Sequence, residues 1–169
     1  MKKFPIAIAM LACFGVAQAD ARPRSHDLEQ KAAKGAKQVI IQSKLSPSNF
    51  TSTTFAQITA SGSIVPAVTA TGFLIATFTG EASCSGPSVN GWCSVRILCD
   101  GVEARPASGT DFAFRGVGSS PVWISATVTR HTLPFTGGSH SCEAQAAVVN
   151  GATGFGLDDW TFKVEFWRQ

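Results

Sequence analysis

The feature that most constrains the fold is the regular spacing of turn signals between short β-prone runs. From residue 38 onward, runs rich in Val, Ile, Thr and Phe are interrupted by Gly, Pro, Asn or Asp. These interruptions recur roughly every 8–15 residues, the spacing typical of short antiparallel strands. No helical period of apolar residues lies between them. We therefore predict an all-β antiparallel sandwich or barrel of about nine or ten strands.

The clearest local signal is Asp100-Gly101, which separates two β-prone runs. Asp-Gly between such runs is typical of a type I′ hairpin, because both central residues need a positive φ. In the run before it, Cys93, Val95, Ile97 and Cys99 alternate with other residues and share one face. We predict that this face looks into the core.

The last run of the chain alternates strictly. Trp160, Phe162, Val164 and Phe166 fall on one face, which predicts a half-buried strand. Trp92 and Trp167 fall opposite the apolar residues of their own strands. We expect these two side chains to cover a second sheet face, to lie at a subunit interface, or to stack against a sugar.

The N-terminus has the pattern of a secretory signal peptide. Lys2 and Lys3 precede an apolar run, and a small-x-small cleavage pattern ends at Ala19. The apolar run, at about 13 residues, is too short for a stable transmembrane anchor. We predict cleavage after Ala19 and a secreted or periplasmic protein without a transmembrane segment. A less favoured alternative is a lipid anchor on Cys13.

The segment between the leader and the first strand is basic. Residues 20–37 are predicted to be a flexible arm, with a short helix as an alternative, and residues 38–169 to be the β-sandwich domain. The helix would have good helix formers but almost no apolar face, so it would be marginal in water. The basic residues are diluted by acidic ones, so we expect no nucleic-acid partner.

Four cysteines remain behind the predicted leader: Cys84, Cys93, Cys99 and Cys142. An even number in an exported chain predicts two disulfides. Cys93 and Cys99 would be about 20 Å apart on one strand, too far to join. We favour Cys84–Cys93 with Cys99–Cys142. The other pairing that remains is Cys84–Cys99 with Cys93–Cys142.

Two histidines flank a predicted turn over residues 133–139. A simple hairpin would place His131 opposite His140, and His140 shares a strand face with Cys142. Two imidazoles and a thiolate are a possible zinc set. A disulfide at Cys142 would remove the thiolate, so we expect neither a metal site nor a cofactor here.

No catalytic motif is present, and no catalytic residue is assigned. The sequence has no G-x-S-x-G turn, phosphate-binding loop or H-E-x-x-H helix. Asp158 and Asp159 are adjacent, so on a strand they would point to opposite faces. A glycosidase-like pair would need carboxylates to converge from distant positions. The candidates for such convergence are Glu81, Glu103, Asp111, Glu143 and Asp158.

Three stretches carry a resemblance to known proteins. They are residues 93–104, with the Asp-Gly hairpin, residues 138–145, beginning Gly-Ser-His, and residues 157–165. Together they resemble small exported bacterial β-domains and jelly-roll sandwiches over residues 70–168. The resemblance implies a jelly-roll-like fold and no particular activity.

These features predict an exported, disulfide-stabilised, non-enzymatic domain that binds an extracellular ligand, carbohydrate or protein, or serves a surface-structural role. One alternative is a jelly-roll homo-oligomeric assembly subunit. A second is a carbohydrate-active enzyme on a β-sandwich scaffold.

Overall fold

A computed structural model describes residues 27–33, 37–66, 69–118 and 122–169. All secondary structure in these ranges is β, arranged as two antiparallel sheets that form a β-sandwich. This confirms the predicted all-β class. The predicted signal peptide, its cleavage after Ala19, Cys13 and arm residues 20–26 lie outside the described residues.

The first sheet has seven strands. Its main path runs β1-β2-β13-β6-β10, with β11 paired to β6 and β3 paired to β13. The strands are β1 (Asp27–Ala33), β2 (Lys37–Lys44), β3 (Ser48–Phe50), β6 (Thr71–Ser85), β10 (Ile124–His131), β11 (Phe135–Thr136) and β13 (Gly154–Arg168).

The second sheet has six strands. Its main path runs β4-β12-β7-β8, with β5 paired to β12 and β9 paired to β7. The strands are β4 (Ala56–Gln57), β5 (Gly62–Ile64), β7 (Trp92–Cys99), β8 (Val102–Glu103), β9 (Arg115–Gly116) and β12 (His140–Val149). The described residues thus form thirteen strands rather than nine or ten, because the long strands pair with separate short segments.

The core lies between the sheets and is rich in aromatic side chains. Phe78 contacts the rings of both Trp160 and Phe114, with centroids 5.8 Å apart in each pair. Tilted rings at this spacing are a favourable arrangement beyond their buried area. The predicted inward face of β13 is confirmed, since Trp160, Phe162, Val164 and Phe166 are all buried.

The hairpin between β7 and β8 is also confirmed. Asp100 and Gly101 have φ values of 52° and 77°, as a type I′ turn requires. The β7 residues Cys93, Val95, Ile97 and Cys99 are buried, as their alternation predicted.

The arm differs from expectation. Asp27–Ala33 is a strand, β1, where the sequence predicted a flexible arm with a short helix as an alternative, and it pairs antiparallel with β2 from Lys37 to Ser43. A helix without an apolar face gains little from packing, whereas pairing with β2 supplies backbone hydrogen-bond partners directly. The sheet therefore extends into the predicted arm, N-terminal to the boundary expected at residue 38.

Two disulfides link the core strands. Cys84 is bonded to Cys93, which joins the end of β6 to the start of β7 across the sandwich. Cys99 is bonded to Cys142, which joins paired positions of β7 and β12 within one sheet. This is the favoured one of the two pairings that strand geometry left open.

No helix among the described residues has the length and apolar character needed to cross a membrane.

The disulfides are expected to differ in their contribution to stability. They close loops with sequence separations of 9 and 43 residues. Chain-entropy reasoning assigns about 3 kcal/mol to the shorter loop and about 4 kcal/mol to the longer one. In urea unfolding followed by Trp fluorescence, Cys99→Ala/Cys142→Ala should therefore be less stable than Cys84→Ala/Cys93→Ala. The reverse order would contradict this account.

Candidate binding groove around His131

The two sheets meet at one point along their edges. β10 is the last strand of the first sheet, and β8 is the last strand of the second. Immediately after β8, the N–H of Arg105 donates to the carbonyl of His131 at 2.7 Å. The N–H of His131 donates back to the carbonyl of Arg105 at 2.9 Å. This pair of bonds, the Arg105–His131 bridge, joins the two edges at the end of β10.

Three adjoining depressions open around the bridge, and His131 lines all of them. We call them together the His131 groove. Their volumes are about 660, 290 and 370 Å³. One wall follows β8 and the loop after it, and the other follows the chain from β10 to β11. The lining residues used below are Val102, Arg105, Pro106, Leu133, Pro134 and Phe73.

The first wall is held by Glu103, which lies half-buried in β8. One oxygen of its carboxylate accepts the N–H groups of Ser108 and Gly109, both at 2.9 Å. These bonds fix the loop that carries Pro106 and Ala107 into the groove. Gly109 has a φ of 53°, a conformation that favours glycine at the turn.

Arg130 supports the same loop from β10. Its guanidinium lies 4.7 Å from the centre of the Phe112 ring and donates to the Ser108 hydroxyl at 3.4 Å. Burial lowers the pKa of Arg130, and the negative charge of Glu103 opposes that shift. The side chain stays protonated at neutral pH, since an arginine begins far above that range. Arg130 is therefore a positively charged side chain that stabilises this loop through its contacts with Phe112 and Ser108.

The second wall is anchored to β6. Thr132 exchanges hydrogen bonds with Leu74: its N–H donates to the Leu74 carbonyl at 3.0 Å, and its hydroxyl accepts the Leu74 N–H at 2.9 Å. This leaves Leu133 at the surface, 58% exposed, beside Pro134. Phe73 and Ile75 continue the apolar wall on the outward face of β6.

Trp167 extends this apolar surface. It is the register partner of Phe73 on the neighbouring strand and is 40% exposed.

Trp92 has a different environment from Trp167. Its indole N–H donates to the carbonyl of Thr110 at 2.7 Å, and the side chain is half-buried. The ring therefore covers a loop beside the second sheet.

His131 supplies the groove's central polar atoms. Its Nδ1 lies 3.0 Å from the carbonyl oxygen of Thr132. A carbonyl can only accept, so Nδ1 of the neutral ring carries the proton and Nε2 is left as an acceptor. Arg105 also lines the groove, so a guanidinium, which can only donate hydrogen bonds, belongs to the same largely apolar surroundings.

The expected opposition of His131 and His140 is wrong. The strands that carry them belong to different sheets, so His131 pairs with Ile75 and His140 with Ile64. The 133–139 segment crosses between sheets instead of closing a hairpin.

His140 instead contacts the Asp-Gly turn. Its Nδ1 lies 2.7 Å from the Asp100 carboxylate, and its ring stacks on Phe135 with centroids 3.7 Å apart. Cys142 is in a disulfide. Across the described part of the chain, no three His, Cys, Asp or Glu residues are grouped as metal ligands.

The candidate carboxylates are distributed over the molecule. Glu81 on β6 lies opposite Asp158 on β13. Glu103 accepts a hydrogen bond from the N–H of Ser108 in the loop after β8. Glu143 accepts from side chains of the second sheet, namely those of Gln57, Ser61 and Gln145. Asp111 is exposed in the loop after Gly109. Of these candidates, Glu81 and Asp158 are direct cross-strand neighbours on β6 and β13.

The sequence singled out His131 only as a weak metal candidate and Trp167 only as a stacking or interface candidate, and it did not point to Arg105. Leu133 and Pro106 were not singled out either. The sequence does place a proline close behind each residue of the bridge: Pro106 follows Arg105, and Leu133-Pro134 follows two positions after His131. Only the long-range pairing of residues 105 and 131 makes them neighbours.

No family model matches this chain, and no curated protein resembles it at a significant level.

The role of Glu103 can be tested by removing its carboxylate. Glu103→Ala leaves the N–H groups of Ser108 and Gly109 without their acceptor, which should lower stability by about 1–3 kcal/mol. Amide hydrogen exchange at both residues should accelerate. Glu81→Ala removes an exposed carboxylate elsewhere and is the matched control. Unchanged exchange at Ser108 and Gly109 in Glu103→Ala would contradict the assigned role.

Proposed function

We propose that this chain is an exported, disulfide-stabilised, non-enzymatic domain of jelly-roll topology that binds a protein segment in the His131 groove. The observation that carries the binding role is the groove itself, an open and largely apolar site that Arg105, His131 and Glu103 also line.

Export is supported by two independent features. Residues 1–19 have the composition of a signal peptide. The two disulfides indicate an oxidising, extracellular compartment, because cytosolic thiols are normally kept reduced.

The jelly-roll assignment is supported by strand pairing. A jelly roll resembles one long hairpin rolled into two sheets, so that early strands pair with late ones. Here β2 pairs with β13, β5 with β12, β6 with β10, and β7 with β8. β1 then adds one strand beside β2.

The lining of the groove favours a peptide over a sugar. Sugar rings stack on flat aromatic faces and need many hydrogen-bonding groups. Here aliphatic and prolyl side chains, with Leu133, Pro134, Val102 and Pro106 among them, outnumber the phenylalanine rings of the lining. Apolar side chains of an extended segment would bury this surface, and Arg105 would bind a carboxylate.

Selection from a phage-displayed peptide library tests the proposal. We expect enrichment of peptides that combine apolar side chains with an acidic residue. Calorimetry should then show that Leu133→Asp weakens their binding by about tenfold or more, because a charge replaces an apolar contact. Arg105→Gln should weaken the acidic peptides selectively.

The matched control is Val89→Asp. Val89 is 82% exposed in the turn between β6 and β7 and lies outside the groove, so this variant should bind as the wild type does. Failure to enrich any peptide, or equal affinity in Leu133→Asp, would contradict the proposal. Tight binding on a glycan array that Leu133→Asp abolishes would assign the groove to carbohydrate instead.

A further inference from the structure

The free edge of β10 is the feature that the proposed binding function does not use. β10 ends the path of the first sheet and pairs with β6 on one side from Ile124 to His131. Among the described residues, the opposite side of β10 forms backbone hydrogen bonds at the Arg105–His131 bridge alone. We propose that this edge pairs antiparallel with β10 of a second copy of this chain, so that two first sheets become one continuous sheet.

The bridge determines which backbone groups are available. The N–H and carbonyl of His131 point away from β6, toward Arg105. Because backbone groups alternate along an antiparallel strand, those of Ser125, Thr127 and Thr129 also point away from β6. Among the described residues, no backbone group donates to or accepts from these three on that side.

One side-chain contact lies on this edge. Arg130 Nη1 donates to the carbonyl of Thr129 at 3.1 Å. A carbonyl oxygen has two lone pairs, so this bond leaves room for an interchain donor.

The chemistry of the edge suits self-pairing. Residues 124–129 read Ile-Ser-Ala-Thr-Val-Thr, with no charge, proline or glycine. Proteins usually protect exposed edge strands with lysine, proline, a bulge or a cover, and unprotected edges pair with another strand. The only charged residue in β10 is Arg130.

A two-fold axis at Thr127 would give the free backbone groups partners and would also keep the like charges of the two copies apart. Thr127 then pairs with Thr127 of the second copy. Ser125 of each copy pairs with Thr129 of the other, which gives two further pairs. These three pairs would exchange about six backbone hydrogen bonds. Arg130 lies opposite Ile124 of the second copy, so the two guanidinium groups do not face one another.

Exposed apolar surface continues from the start of β10. Val122, Trp123 and Ile124 are 51%, 44% and 45% exposed. Trp123 lies over β13, where its ring would be 2.7 Å from a Cβ added at Gly156. A second copy paired along β10 would bring its own strand end beside this surface and bury part of it.

Sedimentation equilibrium of the disulfide-intact chain tests the proposal, with protein from roughly 1 µM to 1 mM to cover weak association. We expect the wild type to convert from monomer to dimer within this range. Thr127→Lys puts two ammonium groups against each other at the two-fold axis. It should weaken dimerisation by about tenfold or more.

Two controls isolate the edge. Thr161→Lys places the same charge on the outward face of the same sheet but on the interior strand β13, and should dimerise like the wild type. Thr79→Val removes the hydroxyl contact between Thr79 and Thr127, 2.9 Å in the native chain, without adding an edge charge. It should also remain dimeric.

A second variant of the β10 edge keeps the test decisive if Thr127→Lys fails to fold. Thr127→Pro removes an N–H that points away from β6, a position where proline is tolerated in edge strands. This variant should fold and remain monomeric. A wild type that stays monomeric up to 1 mM would overturn the proposal, as would a dimer that persists in both Thr127 variants. Since the groove lies outside residues 125–129, peptide binding and dimerisation can fail independently.

Discussion

The Arg105–His131 bridge is the interaction on which the groove, the proposed binding site, depends. Two backbone hydrogen bonds join the outer strands of the two sheets at one end of β10. They bring the loop after β8 against the chain that leaves β10, and the groove forms where these two segments meet. The same bonds end the free edge of β10, because they occupy the outward groups of His131.

The supporting contacts maintain this arrangement from both sides. Glu103 and Arg130 hold the 106–112 loop through hydrogen bonds and a cation–π contact. Thr132 holds the other wall against β6 through a reciprocal pair of bonds with Leu74. Polar groups therefore fix the positions of the walls, while apolar side chains such as Leu133 remain exposed at the surface, where the proposed ligand would lie. That division between positioning and contact is common in binding sites.

Local sequence patterns predicted the parts of this fold that depend on local geometry. Asp100-Gly101 identified a hairpin because few residues tolerate positive φ, and alternation identified the buried faces of β7 and β13. The strand β1 was missed, because its pairing with β2 reflects available backbone partners rather than an apolar pattern. The groove was missed because it joins residues such as Phe73, Arg105 and Leu133 through long-range pairing. The misplaced opposition of His131 and His140 has the same origin, since a short connection was assumed to stay within one sheet.

Residue-resolved amide hydrogen exchange along β10 tests the central claim most directly. It is best measured in Thr127→Lys, which is designed to weaken the proposed self-association. The account predicts slow exchange at His131 and Arg105, which form the bridge, and at Ala126, Val128 and Arg130, which face β6. It predicts fast exchange at Ser125, Thr127 and Thr129. Fast exchange at His131, or equal protection at every residue of β10, would contradict it.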